Sequence, residues 1–129
     1  MNRYLLDTCC FLWLVAGDDK LPEPMRDIIR LPENEIFVSS ISAWEIIIKH
    51  QAGKLPLPQK PDVFVRQQRE AHLLTSLPIA EAHVLTLAKL PDFHRDPFDR
   101  MLVCQAIAEG LTILTPDEAV TQYPVRTLW

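Results

Sequence analysis

Residues 35–53, EIFVSSISAWEIIIKHQAG, contain the two halves of one folding unit, a strand and the helix that follows it. Residues 35–38 are rich in β-branched and aromatic side chains, which favours an extended strand. Residues 41–52 form a strongly apolar stretch of helical length, and Gly53 stands where helices often end. A strand that leads directly into a helix is typical of parallel sheets. We therefore expect an α/β protein with a mostly parallel central sheet.

The same alternation of strand and helix continues along the rest of the chain. Short apolar runs predict strands at residues 4–6, 74–77, 111–114 and 125–128. Longer runs predict helices at residues 9–15, 22–30, 61–72, 79–90 and 97–109, and a short helix after Pro116. No internal repeat or linker interrupts the pattern, and 129 residues with 48% hydrophobic side chains suffice for one core. We expect residues 1–129 to form a single domain.

Charge and hydropathy narrow the classes of function. With 13 basic and 17 acidic residues, the chain is not a protein that binds nucleic acid through overall positive charge. A nuclease with its acidic groups gathered at a metal site stays compatible with this balance. No apolar run reaches the roughly 18–20 residues of a membrane helix, and Asp7 comes too early for a signal peptide. We expect a cytoplasmic protein with no membrane segment.

The three cysteines indicate neither a disulfide framework nor a structural zinc site. Cys9 and Cys10 are adjacent and Cys104 is distant, so they form neither a CxxC pair nor an even set. Structural zinc needs four Cys or His ligands at set spacings, and the four histidines fit no such pattern. We expect reduced, mostly buried thiols.

Four acidic residues occupy equivalent places in the predicted units. Asp7 ends the first strand, and Glu45 lies in about the first turn of the helix after residues 35–38. Asp99 lies in the first turn of helix 97–109, and Asp117 comes just after strand 111–114. Strand ends and the following helix starts share one edge of a parallel sheet, where such folds bind ligands. The four carboxylates are therefore expected to converge.

Helix capping is the alternative reading of each acid taken alone. Ser42-Ala43-Trp44-Glu45 and Thr115-Pro116-Asp117-Glu118 both fit the capping-box pattern. Asp96-Pro97-Phe98-Asp99 fits an N-cap aspartate, a first-turn proline and a first-turn acid. Capping does not account for Asp7, because Asp7 follows a strand. It also does not account for four negative charges at one edge, which repel one another unless a cation neutralises them. Oxygen ligands alone select a hard cation, Mg²⁺ or Mn²⁺.

Four segments carry a pattern that can be compared with known families: Leu5-Leu6-Asp7-Thr8, Ser42-Ala43-Trp44-Glu45-Ile46, His94-Arg95-Asp96-Pro97-Phe98-Asp99-Arg100 and Thr115-Pro116-Asp117. In order and spacing they resemble PIN-domain ribonucleases, and among these the VapC toxins of bacterial toxin–antitoxin pairs. The resemblance covers essentially the whole chain. The chain departs from the family's pattern at Cys9-Cys10, where relatives often have a histidine first, and at Pro116, where a small residue is commoner.

The resemblance implies a three-layer α/β/α sandwich and a Mg²⁺-dependent endoribonuclease, usually a homodimer, which a cognate antitoxin protein holds inactive. It implies RNA products with a 5′-phosphate and a 3′-hydroxyl. The family's acidic quartet, both catalytic and metal-binding, carries over onto Asp7, Glu45, Asp99 and Asp117. Asp96 carries over as a further acid and Thr115 as a supporting hydroxyl.

The mechanism expected from these residues is hydrolysis of an RNA phosphodiester by metal-activated water. Asp7 and Asp99 are the main ligands, and Glu45 and Asp117 act through water or hold a second ion. Arg95, Arg100 and Lys49 are candidates for contacts to the RNA backbone. Ordinary surface charge is the equal alternative for these three, since Glu45 and Lys49 also form an i,i+4 helix pair. The apolar helix over residues 9–15 either packs in the core or forms part of a groove for an antitoxin segment.

Three other functions are alternatives to a nuclease. A haloacid-dehalogenase-type phosphatase needs a second aspartate two residues after Asp7, where Cys9 stands. A receiver domain needs a phosphorylatable aspartate at the end of a middle strand and a late lysine, and neither is visible. A catalytically inactive PIN-fold protein that acts by binding a partner or RNA is the alternative from a different class. An RNA-cleavage assay with Mg²⁺, with and without EDTA, separates it from a nuclease.

Overall fold

The computed structural model describes residues 2–129, and these form one five-stranded sheet whose neighbouring strands all run parallel. In chain order the strands are β1 (Arg3–Leu6), β2 (Glu35–Ser39), β3 (Thr75–Leu77), β4 (Thr112–Leu114) and β5 (Thr127–Leu128). Their spatial order is β3-β2-β1-β4-β5, which puts β1 at the centre. The prediction of a mostly parallel sheet is confirmed, and within the described residues no antiparallel pair occurs.

Helices connect the strands and cover both faces of the sheet. They are α1 (Thr8–Ala16), α2 (Glu23–Arg30), α3 (Ser40–Gln51), α4 (Pro61–Ala71), α5 (Glu81–Thr86), α6 (Pro97–Glu109) and α7 (Glu118–Thr121). A 3₁₀ turn, Leu87–Lys89, follows α5. None of the helices in residues 2–129 is long and apolar enough to cross a membrane.

Alternating strand residues divide the core into two layers. On β1, Leu6 packs in a cluster with residues of α1, α2 and α4, while Leu5 packs on the opposite face with residues of α6 and α7. Helix α3 serves both clusters, because Ile46 packs in the first and Ile41 in the second. A parallel sheet buried on both faces is the expected arrangement, and it confirms the three-layer α/β/α sandwich.

Every predicted element is present, but one helix and the last strand are shorter than predicted, since β5 spans only Thr127–Leu128 of the predicted residues 125–128. The predicted helix over residues 79–90 is only half that length, since α5 ends at Thr86 and tightens into the 3₁₀ turn. Pro91 ends the 3₁₀ turn that follows α5, because a proline disfavours helical backbone at the residue before it. Leu90 is accordingly extended, with ψ at 131°. Gly53 takes a positive φ of 73° just after α3, as its predicted place at a helix end requires.

Candidate functional site

Five carboxylates line one cavity of about 400 Å³ at the carboxyl edge of the sheet: Asp7, Glu45, Asp96, Asp99 and Asp117. Strand register explains part of the convergence. β1 and β4 are neighbours and pair Leu6 with Leu114, so the chain leaves both strands at the same edge. All four acids that the sequence placed at strand ends and helix starts, and the auxiliary Asp96, therefore lie in one cavity.

Asp7 is almost fully buried and caps α1. Its Oδ1 accepts a hydrogen bond from the backbone N–H of Cys10 at 2.8 Å and lies 3.1 Å from the sulfur of Cys9. The expectation that capping does not account for Asp7 is wrong, because β1 runs into α1 with Asp7 as the single connecting residue. Capping uses only one oxygen, so the same carboxylate can also serve a ligand in the cavity.

Asp96 and Asp99 stand together at the start of α6. Asp96 is the N-cap, Pro97 is the first helical residue, and Asp96 Oδ1 accepts from the Asp99 N–H at 3.0 Å. Burial raises the pKa of Asp99 to about 7, and the negative charges of Asp96, Asp117 and Glu45 add to the rise, while a hydrogen bond from His94 opposes it. The Asp99 carboxylate is therefore held where its charge is unfavourable.

Glu45 lies deeper in α3 than the sequence indicates. The helix starts at Ser40 with Ser39 as N-cap, so Glu45 falls in the second turn and the capping box over residues 42–45 is wrong. The Ser39 hydroxyl takes the capping role by accepting from the Ile41 N–H at 2.9 Å. Glu45 is 4% exposed, and Lys49 donates to its Oε2. This bond is the largest cause that raises the pKa of Lys49.

Thr8 is a site residue to which sequence reasoning assigned no role. Its Oγ1 lies 2.7 Å from Glu45 Oε1 and 2.9 Å from Ser42 Oγ, and all three side chains are buried. Because a carboxylate only accepts, the Thr8 hydrogen goes to Glu45 and Ser42 supplies the hydrogen of the other bond. With Lys49 on Oε2, both oxygens of Glu45 are engaged. Only the position of Thr8, directly after Asp7, could have signalled this role.

Asp117 caps α7, and its Oδ1 accepts from the Ala119 N–H at 2.9 Å. Thr115, 1% exposed, accepts from the Asp117 N–H at 3.1 Å. The capping box with Thr115 as N-cap is therefore wrong, because Asp117 itself holds that place. The Thr115 hydroxyl supports the backbone of Asp117 and is absent from the cavity lining.

The basic residues are distributed differently from the prediction. Lys49 lines the carboxylate cavity, and so does Lys54, which the sequence analysis did not single out. Arg95 and Arg100 instead line a neighbouring apolar groove. Arg100 is largely buried and donates to the Pro91 carbonyl at 2.9 Å, so it ties down the loop before α6.

A buried tyrosine orients the histidine beside Asp99. Tyr123 Oη accepts from the His94 N–H at 3.2 Å and from Arg100 at 3.0 Å, and lies 2.7 Å from His94 Nδ1. With its lone pairs occupied by these donors, the hydroxyl gives its hydrogen to Nδ1. The ring proton of neutral His94 is thereby assigned to Nε2, which faces Asp99 Oδ2 at 3.4 Å.

The donor set of the cavity fits a hard, hydrated cation. Its acidic side chains offer oxygens, and Asp7, Asp96 and Asp117 each use one oxygen for a cap and have a second one. Within residues 2–129, no three carboxylates bring oxygens within 4.8 Å of one another. Mg²⁺ keeps several waters and binds through one or two carboxylates, so an open cluster of this kind suits it.

Comparison with known proteins gives one family and a consistent fold. The PIN domain family model matches residues 4–125. A chain of VapBC2 from Rickettsia felis, solved bound to a DNA fragment from their promoter, superposes with a TM-score of 0.75 at 17% identity over 98% of both chains. DNA-bound VapBC from Salmonella typhimurium gives 0.73 at 21% identity, over 99% of this chain and 98% of that one. VapBC-1 from nontypeable Haemophilus influenzae gives 0.65 at 18%, over 98% and 96%. A search of the curated proteins finds no match.

Proposed function

The chain belongs to the PIN-domain family, whose members are generally nucleases, and we propose that it is a Mg²⁺-dependent endoribonuclease and the toxin of a toxin–antitoxin pair. One observation carries the proposal: five carboxylates line a single cavity, and burial and neighbouring charge raise the pKa of Asp99 there to about 7. Negatively charged carboxylates in one cavity repel one another, and a bound cation would remove that repulsion. The arrangement therefore points to a cation as the ligand.

Asp7 and Asp99 are the proposed direct ligands, with Glu45 and Asp117 acting through water or holding a second ion. Mn²⁺ is the proposed substitute ion, because it also prefers oxygen ligands. When bound, the ion supplies a lowered water pKa and stabilises charge on the phosphate oxygens of RNA. Glu45 is the least free of the four, since Thr8 and Lys49 already engage both of its oxygens. An indirect role through water suits it better than direct ligation.

The remaining polar residues of the cavity hold these carboxylates in place or meet the substrate. Asp96 fixes the start of α6 and so the position of Asp99. Lys49 and the exposed Lys54 are the basic side chains of the cavity, which makes them the better candidates for contacts to the RNA backbone. The exposed Arg95 can reach RNA only where the strand passes over the neighbouring groove.

RNA cleavage in Mg²⁺, with and without EDTA, tests the proposal. We expect cleavage by the wild type in Mg²⁺ only, and none by Asp7→Asn or Asp99→Asn. Asp62→Asn is the matched control, because Asp62 is also an acid in the first turn of a helix that begins with proline, but it is exposed and outside the cavity. Cleavage that persists in EDTA, or in the Asp7→Asn variant, contradicts the proposal.

An antitoxin is the proposed protein partner. Three of the solved structures of similar fold are of VapBC, two of them bound to DNA. An apolar groove of about 480 Å³ between α1 and α4, lined by Leu12, Trp13 and Phe64 among others, shares Leu12 with the carboxylate cavity. An amphipathic or extended antitoxin segment could fill this groove and extend a basic side chain into the acidic cavity. High Mg²⁺ should then weaken inhibition of the purified complex, and an unchanged activity across a Mg²⁺ titration counts against a shared site.

A homodimer is also part of the proposal. Large apolar side chains are exposed on α3 and α5, with Trp44 51% and Leu85 62% accessible. A mass of twice the chain mass in sedimentation equilibrium supports the dimer, and a monomer at micromolar concentration contradicts it.

A further inference from the structure

Three potential metal ligands of mixed hardness meet at the start of α1. An oxygen of Asp7 and the sulfurs of Cys9 and Cys10 all lie within 4.8 Å of one another. No other group of three or more His, Cys, Asp or Glu side chains in residues 2–129 does so. The close approach follows from the helix start, because Asp7 is the N-cap and both cysteines belong to the first turn.

The geometry points to a binding site for a soft divalent cation, Zn²⁺ or Cd²⁺, formed by Asp7, Cys9 and Cys10. Three atoms no more than 4.8 Å apart leave a central point within about 2.8 Å of each, close to the Zn–S distance of about 2.3 Å and the Zn–O distance of about 2.0–2.2 Å. The three atoms must each move toward that point by somewhat less than an ångström to reach these distances. The adjacent cavity leaves room for water as a fourth ligand.

Two sulfurs make the site chemically distinct from the rest of the cavity. Thiolates favour Zn²⁺ or Cd²⁺ strongly over Mg²⁺, whereas oxygen ligands alone are the ones that suit Mg²⁺. Cys9 is half-buried and lines the cavity, so an ion has a path to it. Cys10 is fully buried, and its thiol donates to the Leu114 carbonyl at 3.2 Å. Binding therefore breaks that hydrogen bond and the one from the Cys9 thiol to Asp7 Oδ1, and both thiol protons are released to solvent as the two metal–sulfur bonds form.

The site has a regulatory consequence, which rests on the proposed function. Asp7 belongs both to the carboxylate set proposed for Mg²⁺ and to this cysteine site. A soft ion at the cysteines occupies the Asp7 carboxylate and places positive charge beside the Mg²⁺ position. Zn²⁺ therefore inhibits cleavage in competition with Mg²⁺.

Cd²⁺ titration of the reduced protein without Mg²⁺ tests the site independently of any nuclease activity. The ultraviolet charge-transfer band of cadmium thiolate should saturate at one ion per chain. Cys9→Ser and Cys10→Ala should each weaken Cd²⁺ binding by about tenfold or more, since even outer-shell partners of a metal have effects of that size. Cys104→Ala is the matched control, because it removes a thiol that is also buried but lies in α6. It should leave the titration unchanged.

No band in the wild type, or the same band and affinity in Cys9→Ser, overturns the site even if Cys10→Ala fails to fold. Zn²⁺ inhibition is then measured against each variant's own rate in Mg²⁺. The wild type and Cys104→Ala should be inhibited at the same Zn²⁺ concentration, and Cys9→Ser should need about tenfold more. Equal inhibition of Cys9→Ser overturns the regulatory consequence. An absence of any cleavage in Mg²⁺ contradicts the proposed function and leaves the Cd²⁺ result standing.

Discussion

Replacing Asp99 by asparagine should stabilise the metal-free protein while it abolishes metal binding. The Asp99 side chain is 21% exposed and its pKa is raised from its ordinary 3.8 to about 7 by burial and neighbouring acids. The folded protein therefore binds a proton at Asp99 more tightly than the unfolded chain does. Such a group contributes stability below pH 4, and that contribution is lost as the pH rises to 7 and above. Asparagine has nearly the same shape and no charge to lose.

The size of the effect follows from the pKa shift. Each pKa unit corresponds to about 1.4 kcal/mol, so the raised pKa of Asp99 destabilises the metal-free fold by about 2 kcal/mol at pH 5 and about 4 kcal/mol at pH 8, as upper values relative to an unshifted carboxyl. Removing an acid from the first turn of α6 costs roughly 0.3–1 kcal/mol in the opposite direction. The net gain in free energy of unfolding is then about 1 kcal/mol at pH 5 and about 3 kcal/mol at pH 8.

Mg²⁺ should oppose this difference, because an ion that binds only the folded wild type stabilises it. The gain is about 2.7 kcal/mol at a hundredfold excess over Kd and about 4.1 kcal/mol at a thousandfold excess. At pH 8 the first concentration should nearly equalise wild type and Asp99→Asn, and the second should make the wild type the more stable protein. The variant, which lacks a charged ligand, should respond weakly to Mg²⁺.

Thermal melts of both proteins at pH 5 and pH 8, each in EDTA and in a Mg²⁺ series, measure these differences. One kcal/mol corresponds to roughly 3–5 °C for a chain of this length. Asp62→Asn, a first-turn acid outside the cavity, should stay within about 0.5 kcal/mol of wild type at both pH values. A Tm difference that is the same at pH 5 and pH 8 refutes the raised pKa of Asp99. If the wild type has the same Tm in EDTA and in Mg²⁺, the acids bind no metal ion and act only as helix caps.

Three further substitutions test single contacts of the site. Asp7→Asn should lower Mg²⁺-dependent RNA cleavage by far more than tenfold with a native circular dichroism spectrum, and a rate within about tenfold of wild type removes Asp7 from the ligand set, since that is only about 1.4 kcal/mol. Thr8→Val should cost about 1–3 kcal/mol in urea unfolding, because Glu45 loses a buried donor, and an unchanged midpoint shows that the bond contributes little. Tyr123→Phe keeps the ring but removes the hydroxyl that holds His94. The Mg²⁺ concentration for half-maximal cleavage should then rise about 10–100-fold, and an unchanged value limits Tyr123 to a packing role.

The sequence predicted the sheet and most of the helices because the signals are local. Residues 35–53 show the strand and the helix by composition alone, and Gly53 marks the helix end through its positive φ. Composition does not show that α5 ends at Thr86 and tightens into a 3₁₀ turn. His83 is buried and accepts the Ala80 N–H at 3.0 Å, which fixes the start of α5, while Pro91 limits the 3₁₀ turn after it.

The sequence predicted which acidic residues form the candidate site, but not which side chains form hydrogen bonds with them. Parallel strands bring their carboxyl ends to one edge, so Asp7 and Asp117 had to come near each other wherever the strands paired. Which hydroxyl or amine meets each acid depends on how far α3 is rotated, and that depends on packing. The sequence therefore missed Thr8 and Lys54 as lining residues. It also placed Arg100 at RNA, where the structure uses it to tie the loop before α6.

Capping and metal binding, which the sequence sets against each other, are compatible uses of the same carboxylates. Asp7, Asp96 and Asp117 each direct one oxygen to a helix N-terminus and have a second oxygen for the cavity. Each helix terminus offsets negative charge by roughly 0.3–1 kcal/mol, which is well below the cost of about 4 kcal/mol that burial and the neighbouring acids together impose on the Asp99 charge at pH 8. Capping therefore reduces the unfavourable energy of the clustered carboxylates but does not cancel it. A bound cation would relieve the remaining unfavourable charge energy of the carboxylates. For this reason, a substitution in this cavity that lowers metal affinity should raise the stability of the metal-free protein.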